Sequence, residues 1–439
     1  MPGPAAAPPV TQNREFWVLM GYAAVLGVFG GFAGLVFLWV IKFGGSWYTD
    51  SQPGWFGGHW WWVAVTAAAG VAVGLLRRLT RLPDETPGLF DDLRAGHVDP
   101  ALVPGTVAVS VLSLIGGASV GPEKVLGTVG GGAGNWIARR RGLGEEDSQV
   151  STLAGIGGIY GGLFSSPVIV VMLVLEVARP GGRLFSKTLV ANIIAASISF
   201  GIYFAIAGAV FLGVYRVPRY TFADWQLLAA IPLGLFAALV TTLTTGVITL
   251  VSRAFGRLKI PAIAKPVLGG LMFGIVGVAL PLTMFSGGDE LAAMLNGAGT
   301  LGLGLTIAIL IAKMFTYAIS QGSGFVGGPI FPALFLGGTA GIIVHQAIPG
   351  VPLGLAFSCL LPAVLGTLAA APFAMVLLAA FTTRVGPLQT PSILIAVVTA
   401  FAAVQGVRYF LAGRGQVRAP DEKQAGVQPP GPPPADGQR

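Results

Sequence analysis

Cysteine occurs once in this chain of 439 residues, at Cys359, and histidine three times, which excludes a disulfide framework and leaves no Cys/His spacing for a metal. No cofactor, metal or redox chemistry is expected. Charge is scarce as well: Asp, Glu, Lys and Arg make up 10% of the residues, against roughly a quarter in soluble domains. What fills the chain is apolar, 54% hydrophobic with a mean hydropathy of +0.78. The formal charge of +8 suggests nucleic acid only until the cations are placed. They flank apolar runs, as Arg77, Arg78 and Arg81, then Arg139, Arg140 and Arg141, then Arg253, Arg257 and Lys259, then Arg408, Arg414 and Arg418. That is the positive-inside pattern of a membrane protein, and nucleic acid is excluded.

The expected fold is an all-α polytopic membrane protein. Apolar runs at 16–41, 60–76, 101–120, 188–213, 225–252, 262–285, 299–320, 351–382 and 391–412 are each near or above the ~20 residues that cross a bilayer. The two longest have room for more than one element. Residues 1–13 form a polar, disordered cytoplasmic leader, and the first run is long enough to span, so no cleaved signal is expected. The transmembrane domain is placed at 14–412, its halves at about 14–220 and 221–412, and residues 413–439 form a disordered Pro-rich cytoplasmic tail. Both termini are expected in the cytoplasm, with the Trp-rich loop 55–62 at the outer interface.

The stretch Gly116-Gly117-Ala118-Ser119-Val120-Gly121-Pro122-Glu123-Lys124-Val125 sets a carboxylate and an ammonium in an apolar, Gly-rich region. Gly-Pro punctuation puts Glu123 at a helix N-terminus, a site that holds anions, whether mobile or tethered. The alternative is a solvated loop glutamate; between two apolar helices, an intramembrane functional group is favoured. Gly328-Pro329 repeats the Gly-Pro pair in the second half, and Pro372 repeats Pro167 at nearly the same distance downstream. Two broken-helix units related by an inverted repeat are the reading. Ile330 and Phe331 then offer backbone N–H groups to an anion, although their side chains also suit plain packing. Lys313, inside a span, is expected to snorkel or pair.

Gly117-Ala118-Ser119-Val120-Gly121 also fits the nucleophile elbow of serine hydrolases, with Ser119 or Ser323 and His345 as partners. That reading lacks the required strand before the serine, so an enzyme is not expected.

These residues resemble the CLC chloride channels and chloride/proton antiporters. Gly121-Pro122-Glu123 resembles the family's Gly-Lys/Arg-Glu-Gly-Pro signature, with Glu123 on the gating glutamate, and Gly327-Gly328-Pro329-Ile330-Phe331-Pro332 resembles its Gly-x-Phe-x-Pro motif. Lys265-Pro266-Val267-Leu268-Gly269-Gly270 is similar to the helix that opens the second half, and the stretch from Pro167 to Glu176 to the helix bearing the internal glutamate pair. The resemblance implies a homodimer with one anion path per chain and anion binding at Gly121, Pro122, Lys124, Val125, Gly328, Ile330 and Phe331. It also marks departures. Asp84, in Pro83-Asp84-Glu85-Thr86-Pro87, stands where the family has an anion-binding serine; Lys124 replaces a glycine; Val177 replaces the second, proton-carrying glutamate. Tyr409 lies near the family's pathway tyrosine but at the wrong spacing. Glu176 and Asp84 are candidates for a proton or vestibule role, Glu176 beside Arg179 suiting an ion pair equally.

The expected function is transport of chloride or a similar small anion across the inner (plasma) membrane, gated by Glu123 and channel-like or weakly proton-coupled. A chloride/proton antiporter with a non-standard proton path and a secondary carrier for an organic anion are the alternatives. Membrane lipids, and protons in the coupled cases, complete the expected partners.

Overall fold

The structure is a computed structural model that describes residues 14–49, 60–83, 86–208, 211 and 213–413. The expected leader, nearly all of the expected tail, Asp84 and most of the Trp-rich loop lie outside the described residues. Among the described residues there are sixteen α-helices and no strand. The first eight are α1 (Arg14–Thr49), α2 (Trp62–Thr80), α3 (Leu89–Ala95), α4 (Val103–Ile115), α5 (Glu123–Arg141), α6 (Glu145–Leu163), α7 (Pro167–Ala178) and α8 (Gly182–Ala207). The second eight are α9 (Trp225–Arg257), α10 (Ala264–Ala279), α11 (Gly288–Asn296), α12 (Leu303–Gly322), α13 (Ile330–Ala347), α14 (Leu353–Ala369), α15 (Pro372–Thr383) and α16 (Thr390–Gly413).

The packing of the first eight recurs in the second. α5 lies on α6 as α13 lies on α14, α6 on α8 as α14 on α16, and α1 on α8 as α9 on α16. The halves meet through α2 and α10, where small residues let the backbones touch. A methyl on Gly70 would strike the Pro266 carbonyl, and one on Gly270 the Thr66 carbonyl. Gly74 is closed in the same way by Ile263, and Gly274 by Thr66 and Val63. Such reciprocity is what a two-fold relation between the halves produces.

Seven of the described helices are long and apolar enough to cross a membrane. Their outer faces carry apolar side chains such as Trp39, Leu228 and Leu250, which suit lipid. The shorter helices do not reach across on their own. α7 and α15 have 12 residues each, about 18 Å of helix against a hydrocarbon core of about 30 Å. Each opens on proline and stops at an arginine in the left-handed region, Arg179 at φ 48° and Arg384 at φ 52°.

Several expected boundaries move. The run 351–382 divides at Ala370, but 225–252 is one helix, α9, which carries Pro232 without dividing. α6 begins at Glu145, because Glu145, Glu146 and Asp147 suit the positive end of a helix. The Lys265 segment forms α10, the second helix of its half, and α9 opens that half. Lys313 does not snorkel: it is fully buried in α12, donating to the carbonyls of Thr283, Met284 and Phe285 beneath the Phe335 ring.

α5 and α6 touch at Gly130 and Gly155, each of which would drive a methyl into the other's carbonyl. Gly155→Leu should cost at least about 1–3 kcal/mol through overpacking. Its thermal midpoint in detergent should fall clearly, while Gly246→Ala, where a methyl meets open space, should leave the midpoint unchanged or slightly raised. Equal midpoints for the two variants would contradict this packing.

Candidate functional site at the crossing of two broken helices

The loops before α5 and α13 cross in the middle of the protein and exchange hydrogen bonds in matched pairs. Gly121 N–H donates to Gly328 O at 2.8 Å, and Gly328 N–H to Gly121 O at 2.7 Å. Ser320 Oγ accepts from Ser119 N–H at 3.0 Å, and Ser113 Oγ accepts from Val326 N–H at 3.0 Å. Each of these serines also donates to the carbonyl one turn back on its own helix, at Val109 or Thr316. Gly117 and Gly324 occupy matching left-handed positions, at φ 82° and φ 102°, where a side chain would be strained. Every loop amide named here has found a partner, so the crossing is fixed.

From this crossing the N-termini of α5 and α13 face one another, and Glu123, the first residue of α5, lies between them. It is fully buried, and its Oε1 accepts a 2.5 Å hydrogen bond from Ile330 N–H. Among the described residues Oε2 has no hydrogen-bonding partner. Methyls on either Gly121 or Gly328 would overlap this carboxyl group, so glycine at both positions is what admits it. Desolvating a carboxylate costs several kcal/mol, which a charge-assisted hydrogen bond and two helix ends of roughly +0.5 charge each offset. Tyr160, fully buried on α6, donates its hydroxyl to Glu123 O at 2.7 Å and fixes the first turn of α5.

On one side of the crossing opens a cavity of about 520 Å³. Arg77, Arg94, Lys124 and Arg408 line it with Asp91, Gly327 and Pro329, so its charged side chains are predominantly cationic. Arg77 bridges the halves, donating to Gly324 O and Pro83 O. Lys124 Nζ donates to Thr86 Oγ1 at 2.7 Å, which sets a hydroxyl and an ammonium side by side next to Glu123. Both residues also line a second cavity of about 130 Å³, together with Asp92, His97, Asp99, Thr106 and Thr128. Asp92 belongs to the short helix α3, outside the spanning helices. Burial pushes its carboxyl up to about 7, the Lys124 ammonium pulls it back, and Asp91 adds to the rise.

Of the residues singled out from sequence, the fold gathers Gly121, Pro122, Glu123, Lys124, Gly328, Ile330 and Phe331 at the crossing. Val125 is buried one residue further along α5. Pro122 has no N–H to offer and serves as the cap residue of α5. Phe331 packs its ring against Phe211. Glu176 is elsewhere and lines neither cavity: its carboxylate caps α15, accepting from Phe373 N–H and Ala374 N–H at 3.0 and 2.7 Å. Tyr409 is 78% exposed and lines neither cavity; its neighbour Arg408 faces the larger one. The hydrolase pattern is not assembled, since Ser323 Oγ donates to Ile319 O and His345 Nδ1 pairs with Val351 O. Sequence reading took the stretch 83–92 as a cytoplasmic loop or vestibule lining without singling out Thr86 or Asp92, and it missed Tyr160 and the two serines. Ser113 and Ser320 were within reach, being at equal distances before the two Gly-Pro pairs.

Residues 90–405 match the family described as Voltage gated chloride channel. The chain is 27% identical over 318 residues to the putative ion-transport protein YfeO of Escherichia coli O7:K1 (strain IAI39 / ExPEC), covering 68% of this chain and 71% of that one. It is 28% identical over 312 residues to YfeO of Salmonella choleraesuis (strain SC-B67), covering 68% and 72%. The fold is similar to that of a slow cyanobacterial Cl-/H+ antiporter, with TM-score 0.76 and 19% identity over 91% of this chain and 98% of that one. It is similar also to a CLC-type fluoride/proton antiporter, with TM-score 0.74 and 18% identity over 89% and 96%.

The two glycines make a direct test of the crossing. Gly328→Ala should drive the Glu123 carboxylate off the Ile330 amide, because the new methyl takes its place. A structure of this variant with the carboxylate still on Ile330 N–H would refute the arrangement.

Proposed function

The chain belongs to the voltage gated chloride channel family, and from that premise we propose that it carries chloride or a similar small inorganic anion across the membrane, with Glu123 as the gate. The observation that carries this reading is the buried Glu123 carboxylate on Ile330 N–H, a tethered anion seated between two helix N-termini. A mobile anion arriving from the larger cavity competes for the same donors. Protonation of Glu123 removes its claim on them, and displacement by the anion has the same effect.

Each neighbour has a part. Arg77, Arg94 and Arg408 draw anions into the cavity and exclude cations. Lys124 and Thr86 stand at its inner end and take over from the serine contact that the family resemblance would place at Asp84. The amides of Ile330 and Phe331 receive the anion once Glu123 has left. With the Arg139, Arg140 and Arg141 cluster and Arg77 on its side, the larger cavity opens to the cytoplasm of an inner-membrane protein. A homodimer with one anion path per chain, as the family resemblance implies, completes the reading.

Chloride efflux from proteoliposomes tests the gate. Flux should rise as pH on the Glu123 side falls, by up to about tenfold per pH unit, and Glu123→Gln should abolish that dependence. Absence of any inorganic anion flux from the native chain would end the reading. Lys124→Met removes a charged donor worth about 1.5–3 kcal/mol, so the chloride concentration for half-maximal flux should rise about tenfold or more. An unchanged value would take Lys124 out of the anion path.

A further inference from the structure

α7 carries valine at 177 and uses Glu176 as a cap for α15, so it offers no free acid to relay protons to Glu123. Another carboxylate is differently placed. Asp92 is 7% exposed on α3 and faces the 130 Å³ cavity. No hydrogen bond or ion pair to its side chain is found among the described residues, which is unusual, since a buried carboxylate is ordinarily paired or protonated.

The cavity has two ends. Exposed His97 and half-exposed Asp99 lie at one end, and Thr86 and Lys124, shared with the larger cavity, lie at the other with exposed Pro87; Lys124 follows Glu123 on α5. Asp92, Thr106 and Thr128 lie between. A volume of 130 Å³ has room for about four waters at ~30 Å³ each, and Thr86, Asp92, His97, Asp99, Lys124 and Thr128 supply polar groups on a wall that is otherwise mostly apolar. Asn135 Nδ2 donates to both Val98 O and His97 Nδ1, so the His97 ring carries its proton on Nε2.

We propose that this side cavity is the route by which protons reach Glu123, with Asp92 as the residue that takes them up. The proposal rests on Glu123 being the gate. A proton from water at the His97 and Asp99 mouth adds to the Asp92 carboxylate. The resulting carboxylic acid gives it back to the inner waters, and these pass it to Glu123, whose protonated carboxyl releases Ile330 N–H. Only a proton moves at each step, and no other reactant is needed. The groups that bear on Asp92 are Asp91 on its own helix, Lys124 on α5, Tyr160 on α6, and His97 and Asp99 at the mouth. Asp99 is in turn held by Arg139 at 3.9 Å. Anions and protons therefore enter by separate mouths that join at Lys124, an arrangement that keeps the incoming proton out of the arginine-lined cavity.

The test is simultaneous recording of chloride and proton movement in proteoliposomes holding the full chain, driven by a chloride gradient. Asp92→Asn should lower the number of protons moved per chloride ion at least about tenfold, since a positioned acid contributes typically 10²–10⁴-fold to proton transfer. Asp92→Glu should restore much of it, and Glu176→Gln should leave it intact. Proton movement unaltered in Asp92→Asn, or lost in Glu176→Gln instead, overturns the proposal. So does a native chain with chloride flux dependent on Glu123 and no proton movement, which leaves the gate standing. Chloride flux indifferent to Glu123→Gln marks instead a failure of the gate itself.

Discussion

The exchange of backbone hydrogen bonds between Gly121 and Gly328 is the contact on which the rest depends. It holds two loops against each other in the membrane interior, where an unsatisfied amide would cost several kcal/mol. The serine hydroxyls of α4 and α12 complete the same accounting, each taking an amide from the opposite half. Because both loops are locked, the N-termini of α5 and α13 cannot turn away from one another. Two ends of roughly +0.5 charge each then converge on one point, enough to balance about one anion.

Symmetry explains the cradle, and its violation explains the function. Ser113 matches Ser320, Gly117 matches Gly324 and Gly121 matches Gly328, but Glu123 is matched by Ile330. One half supplies the carboxylate and the other supplies the amide that receives it. A glutamate at both positions would set two buried like charges in one site, and two apolar residues would leave the helix ends with no anion of their own. The single substitution turns a structural crossing into a site that is either self-occupied or vacant for a ligand.

Much of this was legible in the chain because turn chemistry is local. Gly-Pro before Glu123 and before Ile330, with Pro167 and Pro372 downstream, marked the helix starts and the relation of the halves. Length misled for 225–252, where Pro232 sits within a continuous α9, whereas the run 351–382 divides as expected, at Ala370 just before Pro372. The residues around Glu123 were harder to find. Tyr160 reaches it from α6, and Thr86 reaches Lys124 from the loop before α3; neither carries a periodicity or spacing that points there. Lys313 was expected to snorkel or pair; it lies under three carbonyls with Glu290 in electrostatic reach, because the turn before α11 offers acceptors that the sequence does not reveal.

Lys124 raises a problem that its surroundings resolve. A full charge about 4 Å from a bound anion is worth about 4 kcal/mol at an effective dielectric of 20, which by itself lengthens residence about a thousandfold. A pathway so equipped would hold its anion too well to conduct it. Thr86 takes one of the ammonium's donors, and Asp91 and Asp92 lie within electrostatic reach on the adjoining helix. When Asp92 is ionised it weakens the hold of Lys124 on the anion; when it is protonated the hold is restored. On the proposed proton route, Asp92 would thereby also set how tightly an anion beside Lys124 is kept, linking the two ions through Lys124 before either one meets Glu123.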